Sequence, residues 1–470
     1  MKLSLWLLLL LPFIAPRLSA QDEEQEQNNA SSVVARPQEE ERAAPGIRFR
    51  MRPYPDLRFG KILRLEFHTK FQGDFRGFSP ELQPKKECDP YNASVGCLFE
   101  LNRARISVEG RFLKDFEFDV ERELRDNLKE PKLVTVMEEG VTRVEQIRNP
   151  WRDVYVNYRH FRRFQIKAGK FKLPFSMEQL TGAHKLDLIF RSRIADLLAP
   201  GRDIGIMAHG RFFNRGLNYE AGLFKQDGEN ARDSRKSPTG ERSFAGRLTA
   251  TPLRLIRAPA FLKDLGFGGA FVSTTVPPDT GTNGLKGLRG RTPTADTFFP
   301  HIFVRGQRLR LGTELNWTPG PFSLKGEFIR VQEERRGQGF RGENIPDLIE
   351  QGWYWSGSWV VTGEKKAGGI VPRRAFWTER GIGAVELAAR YEQIRYGSSE
   401  HPGRPSRSIR AANILENGDH VWSFGVNWYV NRWVKIQANG IREKFVDMER
   451  SPIPGQDRFW TRVVRLQFSM

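Results

Sequence analysis

Hydrophobic and polar side chains alternate strictly within residues 57–72, LRFGKILRLEFHTKFQ. From Leu63 onward, one face of an extended strand carries Leu, Leu, Phe, Thr and Phe, and the other carries Arg, Glu, His, Lys and Gln. Successive side chains of a strand point to opposite sides, so one face is apolar and the other densely charged. Such alternation over about 10 residues is typical of a strand that lies between lipid and water.

The same alternation recurs to the C-terminus in about sixteen segments, which are separated by turns rich in Gly, Pro, Asn and Asp. Their spacing fits membrane strands of about 9–11 residues. The sequence therefore predicts an all-β fold, an antiparallel transmembrane β-barrel of the outer-membrane porin type. The predicted strands lie near residues 60–72, 99–112, 115–124, 152–161, 163–171, 203–213, 217–226, 243–252, 265–275, 302–316, 322–332, 352–362, 383–394, 419–430, 433–443 and 458–468.

The connections between these strands are of two lengths. Short links include LKDF (113–116), HFRR (160–163) and VNRW (430–433). With the N-terminus on the periplasmic side, the long connections should be extracellular or fold into the pore. The stretch KLDLIFRSRIADLL, within the connection 172–202, has helical spacing and predicts a short helix at a constriction. The long connections cover 73–97, 125–150, 172–202, 227–241, 276–300, 333–350, 363–381 and 397–417.

The N-terminal region differs from this pattern. Residues 1–20 contain a cation at Lys2, an apolar run up to Ala15 and small residues near Ala20, which predicts a signal peptide. A retained N-terminal anchor is the alternative. Residues 21–56 are predicted to be an acidic and polar, disordered periplasmic tail with its lead-in. The barrel domain is then expected to occupy residues 57–470.

Charge restricts the partners of the chain. The formal net charge is +19, while residues 21–45 hold seven carboxylates and only two arginines, so the remainder is more basic still. A charge of this size attracts anions at long range. An exported protein rarely meets nucleic acid in a functional role, so we expect small anions and outer-membrane lipid as partners, and no nucleic acid.

The two cysteines, Cys88 and Cys97, lie in the short turn-rich stretch ECDPYNASVGC. Export implies an oxidising compartment, so a disulfide between them is predicted, with two free thiols as the alternative. No second pair of metal ligands lies near them in the sequence, so no metal site is predicted.

Cations on the face opposite the apolar one are expected to line the lumen. Arginine suits an anion path because its planar donors can bind two oxygens at once and it stays charged at any relevant pH. The alternative for each residue is pairing with a carboxylate of the wall. The candidate anion path comprises Arg103, Arg105, Arg111, Lys167, Lys170, Lys172, Arg191, Arg193, Arg202, Arg211, Arg247 and Arg390.

Three stretches carry a resemblance to a known family: GKFKLPFSMEQL (169–180), APGRDIG (199–205) and WVVTGEKK (359–366). Together they resemble the phosphate-selective porin O and P family, from about residue 57 to the C-terminus. The resemblance implies a sixteen-stranded barrel in the outer membrane of a Gram-negative-type bacterium. It also implies a protein, usually trimeric, that passes anions such as phosphate down a basic pore without a cofactor.

Three other functions are weighed against this one. A general or organic-anion porin would share the barrel and lack phosphate selectivity. An outer-membrane barrel enzyme would need a Ser/His/Asn or Asp/His group at the rim, and the seven histidines show no such spacing. A soluble polyanion-binding β-protein would share the charge and lack the lipid-facing side. We therefore expect a porin and not an enzyme.

Overall fold

The computed structural model describes most of the chain from residue 47 onward. The predicted signal peptide, the predicted tail up to residue 46, and both Cys88 and Cys97 lie outside the described residues. The described residues are 47–51, 54–78, 99–125, 133–135, 142–144, 150–228, 242–256, 258–276, 285–293, 296–399 and 414–470.

The described strands are numbered in chain order. They are β1 (Ile47–Arg50), β2 (Asp56–Phe59), β3 (Leu63–Phe78), β4 (Phe99–Phe112), β5 (Phe116–Glu123), β6 (Leu133–Thr135), β7 (Thr142–Val144), β8 (Trp151–Phe161), β9 (Phe164–Lys172), β10 (Arg202–Phe212), β11 (Leu217–Phe224), β12 (Ser243–Ala250), β13 (Gly266–Val276), β14 (Leu285–Lys286), β15 (Gly290–Arg291), β16 (Thr297–Phe299), β17 (Phe303–Val304), β18 (Gly306–Trp317), β19 (Phe322–Arg335), β20 (Ile345–Val360), β21 (Ala384–Ser398), β22 (Asn417–Tyr429), β23 (Val434–Phe445) and β24 (Arg458–Ser469).

Sixteen of these strands form a closed antiparallel barrel. Each pairs with its neighbour along the chain, and β24 pairs with β3 to close the sheet. The hairpin of β1 and β2, which the alternation did not predict, extends the sheet beside the start of β3. Strands β6, β7 and β14 to β17 form three separate two-stranded sheets. The predicted fold class and strand number are therefore confirmed.

The two faces of the barrel differ as the alternation predicts. Side chains on the outside are apolar and exposed, such as Ile106 at 46% and Val464 at 43%. Their neighbours along the same strands point inward, and these include Arg105 and Arg465. This arrangement is the one that a strand between lipid and water requires.

The barrel has two different ends. Turns of two to four residues (113–115, 162–163, 213–216, 318–321 and 430–433) join strands at what we call the short-turn end, and the opposite end is the long-loop end. One expectation about the ends is wrong: the connection 361–383 joins β20 to β21 at the short-turn end. The sequence shows that this connection is long. The end of the barrel at which it lies depends on how many antiparallel strands precede it.

The residues between β9 and β10, 173–201, fold into the barrel, and we call them the lumen segment. It contains α1 (Met177–Leu180), a 3-10 turn (Ala183–Lys185) and α2 (Arg193–Leu197), so the predicted short helix is present. The Ser192 hydroxyl caps α2 by accepting a hydrogen bond from the Ala195 amide at 3.3 Å. Within the described part of the chain, no helix is long and apolar enough to cross a membrane.

Apolar packing fixes the lumen segment against one side of the barrel. Phe175, Ile194 and Leu198 are fully buried, in one cluster with inward residues of β19 and β20 such as Val331 and Leu348. The two larger cavities lie on the other side of this segment, against β3, β4, β5, β8 to β11 and β24.

We expect Gly352→Ala to destabilise this packing. A Cβ at position 352 would lie 2.5 Å from Ile194 Cγ2 of α2 and closer still to the Gln393 carbonyl oxygen. Overpacking of this kind costs about 1–3 kcal/mol. The free energy of unfolding can be measured from tryptophan fluorescence in urea, with the protein in detergent micelles.

Gly357→Ala on the same strand is the matched control, because its nearest atom would be the Ser323 carbonyl oxygen at 3.8 Å. Equal stability of the two variants would contradict the close approach of α2 to β20.

Candidate functional site

Two sizeable cavities lie between the lumen segment and the barrel wall, and a third of only about 20 Å³ lies between this segment and β19 to β21. The wide cavity has a volume of about 380 Å³ and is lined mainly by inward residues of β4, β5, β8 and β9. The narrow cavity has a volume of about 190 Å³ and reaches residues 291–293 in the connection between β13 and β18, on the long-loop side. Charged residues of the wide cavity are Lys70, Arg103, Arg105, Lys167, Lys172, Arg191, Arg202, Glu109, Asp119, Glu121, Asp153 and Glu220. Those of the narrow cavity are Arg103, Arg191, Arg193, Arg291, Arg465 and Asp196.

Arg103 and Arg191 line both cavities and so mark their boundary. The Arg103 guanidinium donates a hydrogen bond to Gln72 Oε1 at 2.8 Å. The Arg191 guanidinium donates to the carbonyl oxygens of Glu178 at 3.1 Å and Thr181 at 2.7 Å. Neither forms an ion pair with any carboxylate that the structure describes, although Glu178 and Asp196 attract Arg191 from a greater distance.

Lys172, like Arg191, donates to backbone carbonyl oxygens of the lumen segment. Its Nζ donates to the carbonyl oxygens of Gln179 at 2.6 Å and Leu180 at 3.1 Å, at the end of α1. Lys167, also in the wide cavity, places its Nζ 4.4 Å from the centroid of the Tyr155 ring, a cation–π contact.

Other predicted residues form ion pairs with the wall. Arg105 pairs with Glu121 at 3.0 Å and Glu123 at 2.7 Å, and Arg202 pairs with Asp153 at 2.5 Å. Arg105 and Arg202 therefore follow the alternative considered for each candidate, namely pairing with a carboxylate of the wall. Both still line the wide cavity. Their net contribution to the potential in the cavity is smaller than that of an unpaired cation.

Arg247 and Arg390 lie outside the two cavities. Arg247 pairs with Glu220 at 2.9 Å and Glu314 at 2.6 Å. Arg390 is buried, and it pairs with Glu178 and Glu392, each at 3.1 Å. Arg390 also donates to the carbonyl oxygen of Phe190 at 3.1 Å, so it helps to hold the lumen segment.

Arg193, Arg111 and Arg211 take three different positions. Arg193 is 2% exposed in the wall of the narrow cavity, and its amide donates to Glu392 Oε2 at 2.5 Å. Arg111 and Arg211 are exposed near the short-turn end, where Arg111 Nε lies 3.2 Å from Glu117 Oε1.

The expectation that Lys170 faces the lumen is wrong. The strand register places it opposite Ile204, whose side chain is 53% exposed on the outside of the barrel. Lys170 Nζ donates to the Trp151 carbonyl oxygen at 2.7 Å. Phe171 next to it points inward and is buried, so the alternation assigns Lys170 to the outer face.

The candidate path omitted three cations of the cavities: Lys70, Arg291 and Arg465. Lys70 and Arg465 follow the inward alternation of β3 and β24, so the sequence carried a signal for both. Arg465 is nevertheless paired with Asp74 at 2.6 Å. Arg291 lies in a connection that folds inward, and no sequence pattern marks it.

Side chains of the wall hold the backbone of the lumen segment. Asn439 Oδ1 accepts from the Ile189 amide at 2.7 Å, and Arg465 donates to the Ile189 carbonyl oxygen at 3.0 Å. Arg310 donates to the Leu198 carbonyl oxygen at 2.8 Å. Peptide groups that are removed from water need such partners, which explains why polar side chains of the wall point at this segment.

A carboxylate at the turn of the lumen segment joins it to the connection 361–383. Asp187 forms ion pairs with Lys325 at 2.8 Å and Lys366 at 2.6 Å. Burial raises the pKa of Asp187, but the two ammonium groups more than offset this, and its pKa is held well below the usual range. Lys366 belongs to the WVVTGEKK stretch, so that stretch fastens the lumen segment from the short-turn end.

His184 contributes no positive charge to the wide cavity at neutral pH. Burial, together with the nearby cations Lys70, Lys185 and Lys435, lowers the pKa of His184 to about 3. The positive charge of the cavity therefore comes from its lysines and arginines.

Among the described residues, one group of side chains could hold a metal ion. Potential ligand atoms of Glu66, His68 and Glu109 all lie within 4.8 Å of one another. Glu66 is also paired with Arg64. No metal site was predicted, and no local pattern marks this group, since only the register of β3 and β4 brings Glu109 opposite Glu66.

Comparison with known proteins identifies the family. The family model described as "Phosphate-selective porin O and P" matches residues 70–469. The chain belongs to this family. Porin O of Pseudomonas aeruginosa is 27% identical over 139 residues, which are 28% of this chain and 29% of Porin O. The chain thus aligns with less than a third of that relative's length.

Solved structures share the fold of this porin. OmpT of Vibrio cholerae, in its trimer form, superposes with a TM-score of 0.52 at 9% identity, over 87% of this chain and all of OmpT. The anion-selective porin from Comamonas acidovorans has a TM-score of 0.48 at 10% identity, over 87% of this chain and all of that porin. At such low identity the likeness to OmpT concerns the fold alone. Family and fold place the porin in the outer membrane and are those of a channel rather than of an enzyme.

Proposed function

We propose that this porin passes small anions by facilitated diffusion through the two cavities, and that phosphate is the anion it prefers. One observation carries the proposal: Arg103 and Arg191 stand at the boundary of the cavities without a carboxylate partner among the described residues. An anion that moves from one cavity to the other passes both guanidinium groups.

The charge balance of the narrow cavity supports the same function. Five arginines and a single carboxylate, Asp196, line it, and one of the five, Arg465, is paired with Asp74. In a narrow space enclosed by protein the effective dielectric constant is lower than in water, so these charges attract an anion more strongly and disfavour cations. Guanidinium donors can replace part of the hydration shell of the anion, and the series of sites prevents any one from holding it too long.

Phosphate as the preferred anion is supported by the family description and by the chemistry of arginine. Each guanidinium can donate to two phosphate oxygens at once, which a chloride ion cannot use. A general or organic-anion porin is the alternative. We also propose that the porin is a homotrimer, since OmpT is described in a trimer form.

Measurement of currents in planar lipid bilayers tests this function. In a KCl gradient, we expect the reversal potential to give a chloride permeability greater than that of potassium. Phosphate added to both sides should lower the chloride current, because phosphate occupies the arginine sites for longer. Equal permeability of the two ions would contradict the anion path, whereas a chloride preference without block by phosphate would favour the general anion porin.

A further inference from the structure

Five exposed cations lie on the outside of the barrel, near the long-loop ends of four consecutive strands. We call Arg395 of β21, Arg442 and Lys444 of β23, and Arg458 and Arg462 of β24 the outer basic patch. The strand β22 between them presents His420 and Trp422 on the same face. The outward positions of these four strands, all of which the structure describes, include no carboxylate.

The register brings the charges of the outer basic patch close together. Lys444 lies directly opposite Arg458, and Arg442 lies opposite Trp460. Like charges at opposite positions of neighbouring strands destabilise a sheet unless an anion lies between them. The structure shows no ion pair between described residues for Arg442, Lys444 or Arg462, whereas Arg458 Nε is 3.5 Å from Asp457 Oδ1.

Outward cations elsewhere on the barrel are engaged by their own wall. The Arg122 guanidinium lies 5.3 Å from the ring of Trp151, and Arg330 donates to Gln351 at 3.0 Å. Lys170 donates to a backbone carbonyl oxygen. The outer basic patch therefore differs from these cations both in number and in the lack of local partners for its central residues.

Aromatic side chains indicate the depth of the outer basic patch in the membrane. Tyr391 and Trp422 pack with their ring centroids 4.5 Å apart, and Trp460 lies across from Arg442. Further toward the short-turn end, the outward side chains are apolar, such as Phe424 and Leu466. Trp and Tyr collect at the level of the lipid headgroups, so Arg395, Arg442, Lys444 and Arg458 stand at that level. Arg462 lies two residues below Trp460, in register with Gly440, and its long side chain can extend back toward the headgroups.

We infer that the outer basic patch binds the phosphorylated headgroup of a lipid in the leaflet at the long-loop end. Phosphate oxygens can accept hydrogen bonds from the guanidinium groups of Arg442 and Arg462 and from the Lys444 ammonium. The acyl chains would then lie along the apolar side chains below. Charge complementarity favours a lipid over a second copy of the chain, because the outward side chains around the barrel are mainly apolar or basic.

Lipid binding by the purified full-length porin in detergent tests the inference. Native mass spectrometry would measure binding of lipid A with two phosphate groups and of the same lipid without them, with inorganic phosphate in a separate arm. We expect the variant Arg442→Gln/Lys444→Gln to bind the phosphorylated lipid roughly 30-fold more weakly, from the loss of two charges at a headgroup surface. The dephosphorylated lipid should bind weakly to both proteins.

Lys114→Gln/Lys263→Gln is the matched control, because it removes two exposed charges at the short-turn end. It should bind the phosphorylated lipid as the unmodified porin does. The inference would be overturned if the Arg442/Lys444 variant bound the phosphorylated lipid as tightly as the unmodified porin does. It would also be overturned if inorganic phosphate displaced the lipid, or if the variant changed its oligomeric state without losing the lipid. Unchanged ion selectivity of that variant in bilayers would separate this result from the proposed anion path.

Discussion

The variant Arg103→Gln/Arg191→Gln should lower the ratio of chloride to potassium permeability about 30-fold or more. Both residues line the two cavities and lack a carboxylate partner in the described structure, so each substitution removes a positive charge from the proposed ion path. A unit charge about 4 Å from an ion contributes at least ~1 kcal/mol, even at the dielectric constant of water. Two such charges give the stated factor. The reversal potential in a KCl gradient measures the ratio.

Arg103→Lys/Arg191→Lys is the matched control, since it keeps both charges. It should retain the chloride preference but weaken the block by phosphate, because an ammonium group lacks the planar pair of donors that fits two phosphate oxygens. If the glutamine variant kept the original permeability ratio, the boundary of the cavities would not determine ion selection.

The variant Asp227→Asn should lower the free energy of unfolding by about 3–5 kcal/mol, the usual cost of breaking a buried ion pair from one side. Asp227 Oδ2 lies 2.5 Å from Arg308, and its other oxygen pairs with Arg310 and accepts from Thr274 Oγ1 at 2.9 Å. Burial raises the pKa of Asp227, but Arg310 and Arg308 lower it by more than burial raises it. The carboxylate therefore stays charged. Unfolding by urea in detergent micelles would measure the change.

Asp264→Asn makes the same substitution in the exposed pair of Arg254 and Asp264, where both side chains are about two fifths exposed. Exposed ion pairs contribute about 0–1 kcal/mol, so this control should remain close to the unmodified porin. Equal losses in the two variants would mean that burial does not strengthen the Asp227 network. Because Arg310 also holds Leu198 of the lumen segment, the Asp227 variant should additionally show a less uniform conductance.

The strands could be predicted because their signal is local. Each of the sixteen strands has to present one side to lipid and the other to water. This requirement makes every second residue of a strand apolar. The largest error was at β20, which begins at Ile345 and not near residue 352. Pro346 and the polar residues around it interrupt the alternation there, so the first part of the strand gave no clear pattern.

Parts of the candidate site were predicted for the same reason. Inward alternation identified Arg103, Arg105 and Lys167 as lumen residues, and the structure places all three in the wide cavity. The inward assignment of Lys170 was wrong because it went against this alternation, which places Lys170 on the outer face with Ile166 and Ala168. The alternation could not find Arg291, whose position depends on how a connection folds.

The sequence by itself determined the barrel, its approximate strands, its family and the excess of inward cations, since these follow from alternation, motifs and composition. Only the tertiary structure decided which cations keep their charge available. Arg103 and Arg105 lie two residues apart on the same face of β4, yet Arg105 meets Glu121 and Glu123 while Arg103 meets Gln72. The partners come from neighbouring strands in a register that includes a bulge at Gln72 and Gly73, and no local pattern encodes that register.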